Sequence, residues 1–208
     1  DYAYIAAYND DALQILDISD PANPVERWNL VDSSRLNGAV DIKEIGNYAY
    51  VTSYIGDSMQ VVDISDPDAP VFAWEVVESG TTELNWAWGI DVVWNFAYIA
   101  AYNDDGLEII DITDPTNPLH TWSLDNAASW VFLNWARQIE VIGNYAYISA
   151  YVDDALEIVD ISDPTNMSGV WYLWASNNRR LYWAYDLKKV GNYIYVASYT
   201  ADSLEIID

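Results

Sequence analysis

The chain has 208 residues, of which 52% are hydrophobic and 15% aromatic, a composition typical of packed globular proteins. Its 33 acidic and 8 basic residues give a formal net charge of −25, which argues against nucleic-acid binding, because that function needs a basic face. Cysteine is absent, which excludes disulfides and thiolate metal sites, and no apolar run approaches the roughly 20 residues of a membrane helix.

One block of sequence recurs along the whole chain. Its third copy, residues 101–118, reads AYNDDGLEIIDITDPTNP, and the fifth copy is cut short. One aspartate of the block recurs with spacings of 46 to 49 residues, at Asp17, Asp63, Asp111, Asp160 and Asp208. A period of about 40 to 50 residues that contains several short strands is the pattern of β-propeller blades.

Each period contains four runs with the residue types of β-strands. Strand A, for example 87–93, leads through a two-residue turn into the tyrosine-rich strand B, for example 145–151. A turn of Asn, Asp and Gly residues, which tolerate positive φ, leads into strand C, for example 107–112. Strand D, for example 119–124, follows a turn that contains proline. No segment between these strands has the pattern of a helix.

The alternation inside the strands predicts how the blades pack. In the first strand B, Tyr2 and Tyr4 point to one face, while Ala3 and Ile5 point to the other. We therefore expect neighbouring blades to stack a large-residue face on a small-residue face. Strand C reads as apolar on both faces except for one aspartate, such as Asp111, which is expected to accept hydrogen bonds from amides of the adjacent turn.

These patterns predict an all-β fold, a single β-propeller over residues 1–208 made of four-stranded antiparallel blades. Strands B and C occur five times and strands A and D four times, so about four and a half blades of a larger ring are expected. The predicted repeats are 1–45, 46–93, 94–142, 143–190 and the incomplete 191–208. Because exposed strand edges invite association, we expect the terminal edges to pair with further sequence or with a second copy of the chain.

The repeated motif resembles that of a known family. The pattern GNYAY[IV]xxY, followed by DD[AG]L[EQ]I[IV]DI[ST]DPxNP, resembles the LVIVD repeat, and five tandem copies carry it across essentially the whole chain. The resemblance implies a β-propeller that is secreted or held at the cell surface, and it implies no single activity. The fourth copy departs from the pattern at Asn166-Met167-Ser168, where the second proline is lost. Small residues of the family near strand A are replaced by tryptophan at four positions: Trp86, Trp88, Trp135 and Trp183.

Acidic residues occupy the turns between strands B and C. The paired ones are Asp10 and Asp11, Asp104 and Asp105, and Asp153 and Asp154. Carboxylates gathered on one rim are a candidate calcium site, because this hard cation takes oxygen ligands, and Ca²⁺ is the one cofactor that the sequence suggests. The alternative is that these turns need Asn, Asp and Gly for backbone reasons. No twelve-residue calcium loop with a terminal glutamate is present.

A second candidate site lies in the loops before strand A, which are predicted to share one rim with the acidic turns. Two repeat positions there carry large side chains: Trp86, Trp135 and Trp183 at the first, and Trp88, Arg137 and Tyr185 two residues later. Since strand A is normally innermost in a propeller, these side chains are expected to surround the mouth of the central channel. Aromatic rings beside acids can bind sugars or cations. The alternative is a hydrophobic plug or packing between blades.

Sequence reasoning assembles no catalytic residues. His120 is the only histidine, and the acidic residues recur in every blade, whereas an active site would occupy one place. The sequence therefore favours a non-enzymatic extracellular or cell-surface propeller, an interaction or assembly module that binds a protein partner or another copy of itself. Nucleic acid and membrane insertion are not expected. The alternative, left open by the abundant carboxylates, is a carbohydrate-binding or glycan-cleaving propeller that uses the Trp-rich, acidic rim.

Overall fold

The computed structural model describes residues 1–126, 131–176 and 179–208, which form five antiparallel sheets and no helix. The first sheet contains β1 (Tyr2–Ala7), β2 (Ala12–Asp17) and β3 (Val25–Val31), and the second contains β4 (Ala39–Ile45), β5 (Tyr48–Ser53), β6 (Ser58–Asp63) and β7 (Val71–Val77). The third contains β8 (Ala87–Val93), β9 (Phe96–Ala101), β10 (Gly106–Asp111) and β11 (Leu119–Asp125). The fourth contains β12 (Ala136–Ile142), β13 (Tyr145–Ala150), β14 (Ala155–Asp160) and β15 (Ser168–Trp174), and the fifth β16 (Ala184–Val190), β17 (Tyr193–Ser198) and β18 (Ser203–Ile207).

Each sheet is one propeller blade, and the predicted fold class is confirmed. The strands of a blade pair in chain order, so that blades 2 to 4 read A-B-C-D from β4, β8 and β12 onwards. Blade 1 consists of strands B, C and D, and blade 5 of strands A, B and C. Within the described residues, no helix is long and apolar enough to cross a membrane.

The core of the molecule lies between blades rather than inside them. Each buried cluster combines residues of two adjacent blades; Tyr98 of blade 3, for example, belongs to one cluster with Ile139 and Ile148 of blade 4. Tyr50 and Tyr98 are only 1% and 0% exposed, as expected for large residues that pack on a small-residue face. The A strands of consecutive blades contact one another, whereas strand D is largely exposed, so strand A is innermost.

Strand C differs from the expectation in one respect. The predicted role of its aspartate is confirmed, because Asp111 Oδ1 accepts the amide hydrogen of Thr113 at 2.8 Å and Asp17 Oδ1 accepts that of Ser19 at 2.9 Å. The strand is not otherwise apolar, however. Glu108 and Glu157 lie in the middle of strand C and are both fully buried.

The start of strand A carries an irregularity that matters for the site. Pairing of strand A with strand B is interrupted between Ala87 and Ile90, between Ala136 and Ile139, and between Ala184 and Asp186. The interrupted stretches contain Trp88, Arg137 and Tyr185. A β-bulge changes the direction of the side chains that it carries. The repeat position of Trp88, Arg137 and Tyr185 therefore lies at an irregularity in the pairing of strand A with strand B.

Candidate functional site

Acidic turns and tryptophan loops are joined across every junction between blades. The second aspartate of each B–C turn accepts, through Oδ1, the backbone amide hydrogen of the residue just before the next strand A. The four bonds run from Gly38 to Asp11 at 2.9 Å, from Trp86 to Asp57 at 2.8 Å, from Trp135 to Asp105 at 2.8 Å and from Trp183 to Asp154 at 2.7 Å. The two sets of residues therefore lie on one rim. Each bond, called a latch below, holds the backbone of the following blade at the residue before its strand A.

The first aspartate of a turn makes a similar contact in blades 3 and 4. Asp104 Oδ2 accepts the amide hydrogen of Asn85 at 2.9 Å, and Asp153 Oδ2 accepts that of Asn134 at the same distance. Burial raises the pKa of Asp104, and the nearby negative charge of Asp57 adds to the effect. Asp10 is exposed. Asp104 and Asp153 thus bind the loop that leads into strand A of their own blade, whereas the second aspartate of each turn binds the loop of the next blade.

The acidic residues are not gathered around a common point. Within 1–126, 131–176 and 179–208, no three His, Asp or Glu side chains are placed to hold one metal ion. The backbone explanation has direct support, because Asp11, Asp57, Asp105 and Asp154 all have positive φ, between 49° and 54°. Asp tolerates this region better than most residues. Calcium binding at these turns stays a prediction.

Three tryptophans have the same unusual backbone conformation. Trp86, Trp135 and Trp183 have φ of 58°, 55° and 55°, a region that a bulky residue rarely adopts. Gly38, at the equivalent position of blade 2, has φ of 67°, so the turn itself requires positive φ. A glycine would adopt it without steric cost. Strain of this kind persists where other contacts outweigh it, and here those contacts are made by the rings.

The tryptophan rings form a continuous aromatic ladder with the tyrosines that end strand B. The ladder runs Tyr8, Tyr54, Trp86, Tyr102, Trp135, Tyr151, Trp183 and Tyr199, with 4.9 to 6.1 Å between consecutive ring centroids. Each tryptophan contacts the tyrosine of the preceding blade and the tyrosine of its own blade. The ladder therefore crosses every junction from blade 1 to blade 5. This arrangement agrees with the alternative that the tryptophans pack between blades.

The second position places a guanidinium group between two rings. The Arg137 Cζ lies 3.5 Å from the ring centroid of Tyr185 and 3.8 Å from that of Trp88. Tyr102 and Tyr151 of the ladder lie further out, at 5.7 and 5.6 Å. Burial lowers the pKa of Arg137 from its usual value. The structure thus brings together all six residues that the sequence singled out on this rim: Trp86, Trp88, Trp135, Arg137, Trp183 and Tyr185.

The repeat motif matches a known protein family over most of the chain. The profile of the LVIVD repeat matches residues 1–31, 38–77, 86–125, 135–170 and 183–208. The chain belongs to the LVIVD repeat family. No curated protein sequence matches it.

Solved structures similar to this LVIVD propeller share its fold at low sequence identity. The periplasmic gluconolactonase of Pseudomonas aeruginosa is 11% identical, with a TM-score of 0.77 over 99% of this chain and 62% of that protein. A Bacteroides uniformis protein, provisionally described as a 6-phosphogluconolactonase, is 13% identical, with a TM-score of 0.75 over 99% and 63%. BamB of Moraxella catarrhalis is 12% identical, with a TM-score of 0.61 over 95% and 51%. The chain spans less than two-thirds of each protein, and the likeness shows the fold alone.

Sequence reasoning missed the ladder tyrosines of the LVIVD propeller. It also missed a second set of latches, in which an aspartate of one strand A accepts an amide hydrogen from the next strand A. Asp41 Oδ2 accepts the amide hydrogen of Ile90 at 3.0 Å, and Asp91 Oδ2 accepts that of Val141 at 2.7 Å, each across one junction between A strands. An aspartate at the middle of the innermost strand in two consecutive blades was the available signal. Lys43 also lies 3.3 Å from Asp91 Oδ1 and compensates its charge.

Two buried glutamates of strand C form the other unexpected feature. Glu108 Oε1 lies 2.6 Å from His120 Nδ1, and Glu108 Oε2 accepts the amide hydrogen of Glu83 at 3.1 Å. Burial raises the pKa of Glu108 to about 9 and that of Glu157 to about 8. Both oxygens of Glu157 are buried without a side-chain partner among the described residues. Gln60 holds the equivalent position in blade 2, so an uncharged side chain suits this environment.

Proposed function

We propose that this LVIVD propeller is a non-enzymatic interaction module that works outside the cell or on its surface. Its rim, made of the aromatic ladder and the tips of the B–C turns, binds a protein partner whose contact surface carries lysine and arginine side chains. The extracellular or cell-surface location is proposed because the LVIVD resemblance implies a secreted or surface protein.

The observation that carries the proposal is the exposed apolar surface of the rim. The three ladder tryptophans are 38% to 41% exposed, and the turn tips add Ile55 at 51% and Val152 at 46%. Contiguous apolar surface bordered by polar groups marks interaction sites, and tryptophan, tyrosine and arginine are enriched at the centres of protein interfaces. The rings are held by one another and by the aspartate latches, so a partner meets a pre-organised surface.

Charge decides which kind of partner fits. The chain carries a net charge of −25, and each B–C turn adds carboxylate charge beside the exposed rings. Such a surface repels acidic partners and accelerates encounter with basic ones. Lysine and arginine side chains also interact favourably with tryptophan and tyrosine faces.

The geometry favours this function over catalysis or glycan binding. The aspartates that a hydrolase would use accept backbone amide hydrogens at 2.7 to 2.9 Å and recur at each junction. Each tryptophan ring already contacts two tyrosine rings, with which a stacked sugar would have to compete. Trp183, for example, is nearly parallel to Tyr199, at an interplanar angle of 9°.

Site-specific photo-crosslinking tests the proposal. A photoreactive residue is placed at Ile55 or Val152 on the rim, and at Leu119 as a control, because Leu119 is at least as exposed, at 58%, but begins the outer strand β11. Proteins exposed on the producing cells are then offered to the purified propeller. We expect one protein to crosslink from both rim positions and not from Leu119.

Affinity measurements with the crosslinked protein complete the test. We expect Ile55→Asp and Val152→Asp to weaken binding at least tenfold, and Leu119→Asp to leave it unchanged. The proposal fails if crosslinks form equally from all three positions, or if binding is insensitive to both rim substitutions. A glycan array that gives binding lost on Trp135→Ala but retained in Ile55→Asp would instead favour carbohydrate recognition.

A further inference from the structure

Arg137 is an exception within its repeat position. The residue two places after the latched residue of each loop is Val40, Trp88, Arg137 and Tyr185 in blades 2 to 5. Three of these four side chains are apolar or aromatic, and only blade 4 carries a charge. Because the repeats are otherwise near-copies, a departure at one blade points to a role that belongs to one place in the molecule.

Within the part of the chain that the structure describes, Arg137 lacks the anion that a buried cation normally has. The residue is 6% exposed, and its Nε is buried without a hydrogen-bond partner among the described residues. No described Asp or Glu lies within ion-pair distance of its guanidinium, whereas Lys43, another partly buried cation of an innermost strand, pairs with Asp91 at 3.3 Å. Leaving a buried charge unpaired is costly.

The nearby rim carboxylates do not compensate Arg137, since their hydrogen bonds go elsewhere. Asp105 accepts from the amide of Trp135, and Asp154 accepts from the amide of Trp183. The latches thereby hold negative charge on the rim, while the described contacts of the guanidinium are with aromatic rings.

The ring contacts define the direction from which an anion can approach. Trp88 and Tyr185 lie 3.8 and 3.5 Å from Arg137 Cζ and occupy the two broad faces of the planar guanidinium. Its N–H groups lie in the plane of the group, and Nε–H has no hydrogen-bond partner among the described residues. A ligand must therefore bind edge-on, in the plane between the two rings. A carboxylate is planar and accepts two parallel hydrogen bonds from this edge.

We propose that Arg137, held between Trp88 and Tyr185, is the anchor of a binding site for a small carboxylate ligand. The site is separate from the protein-binding role of the rim and stands on its own observations. A tetrahedral dianion fits less well, because it does not lie flat between the rings and because the net charge of −25 penalises a second negative charge. The same field makes millimolar affinity the expected range.

The first test titrates the purified propeller with sodium acetate, using sodium chloride and sodium sulfate at matched ionic strength as references. We expect acetate alone to raise the melting temperature and to change the tryptophan fluorescence in a saturable manner. In ¹H NMR, saturation of the aromatic protons should transfer to the acetate methyl group, because the ligand lies between two rings. An equal response to sulfate or chloride, or no transfer, would overturn the carboxylate site.

Substitutions then assign the site to Arg137. The repeat itself supplies the replacements Val and Tyr, so Arg137→Val and Arg137→Tyr are expected to fold, and each should weaken acetate binding at least tenfold. Arg137→Lys keeps the charge but loses the bidentate edge and should bind several-fold more weakly than the parent. Arg35→Gln, which removes an exposed arginine that packs on Phe72 rather than on Trp88 and Tyr185, is the matched control and should bind normally. Unchanged binding in Arg137→Val would refute the proposal.

Discussion

The carboxylate of Asp105 accepts the backbone amide hydrogen of Trp135 across the junction between blades 3 and 4, at 2.8 Å. Both residues have positive φ, 54° and 55°, so two turns in the same unusual conformation meet through one hydrogen bond. The bond fixes the tryptophan where its ring contacts Tyr102 and Tyr151. The acidic turns and the aromatic ladder therefore work as one structural unit.

Substitution of Asp105 measures the strength of this latch. Asp105→Ala removes the acceptor and places a residue that disfavours positive φ in the turn, so we expect a loss of about 1–3 kcal/mol in unfolding free energy. Asp105→Asn keeps both an acceptor oxygen and tolerance of positive φ, and should lose less than about 1 kcal/mol. Urea denaturation followed by circular dichroism compares the two, and equal stability of Asp105→Ala and the parent would show that the latch contributes nothing.

Two tryptophans with the same backbone conformation should respond oppositely to glycine. Trp94 has φ of 56°, is 57% exposed, and stands in an A–B turn where other blades have Gly46, Gly143 and Gly191. Trp94→Gly relieves a cost of about 1–2 kcal/mol and is expected to leave the melting temperature unchanged or raised. Trp135→Gly relieves the same strain but loses two ring contacts of about 0.5–1.5 kcal/mol each together with buried apolar area, and should lower it.

Those two melting temperatures also test the ladder directly. Destabilisation by Trp94→Gly as large as that by Trp135→Gly would mean that the ring contacts of Trp135 contribute nothing beyond an ordinary turn residue.

Glu157 should make the stability of the propeller fall as the pH rises. Burial raises its pKa from 4.5 to about 8 in the folded state, so the folded protein holds this proton more tightly than the unfolded chain. The stability contributed by the protonated form is complete below about pH 4.5 and is lost progressively as the pH rises toward and through 8. Unfolding free energy measured by urea denaturation between pH 5 and 8.5 should show this decline.

The matched variant for this prediction is Glu157→Gln, which copies Gln60 at the same repeat position. It cannot ionise, so its stability should exceed that of the parent at pH 8 and should vary less with pH. Some decline should remain, because Glu108 titrates in the same direction with a pKa of about 9. An unchanged pH profile in Glu157→Gln would show that folding does not raise the pKa of Glu157.

Calcium binding at the acidic turns is decided by a comparison at constant ionic strength. A site predicts that millimolar calcium raises the melting temperature more than sodium chloride of the same ionic strength, since specific binding adds to screening. Asp10→Asn and Asp153→Asn should then reduce the difference. Equal shifts with both salts would show that calcium acts only by screening and that the turns serve the backbone.

Local sequence patterns were sufficient to predict the strands but not the contacts between blades. The sequence predicts a strand at 107–112 and the structure has one at Gly106–Asp111, because β-branched residues between two turns leave few alternatives. The positive φ of Trp135 and the stacking of Arg137 could not be read in this way. Both depend on how one blade is offset from the next, which no single repeat encodes. Glu108 was overlooked because its neighbours in strand C are apolar.

In each latch the acceptor lies in the earlier blade and the donor in the later one, so all four latches point the same way along the chain. Each of blades 1 to 4 presents an acceptor on its B–C turn, and the loop that donates to this acceptor is the segment synthesised shortly afterwards. Growth from the N-terminus can therefore proceed by adding one blade at a time onto a surface already in place. Because such junctions involve only neighbours, stability accumulates locally, as in other repeat proteins. Gene duplication can thus lengthen or shorten the array without redesigning the blades that remain.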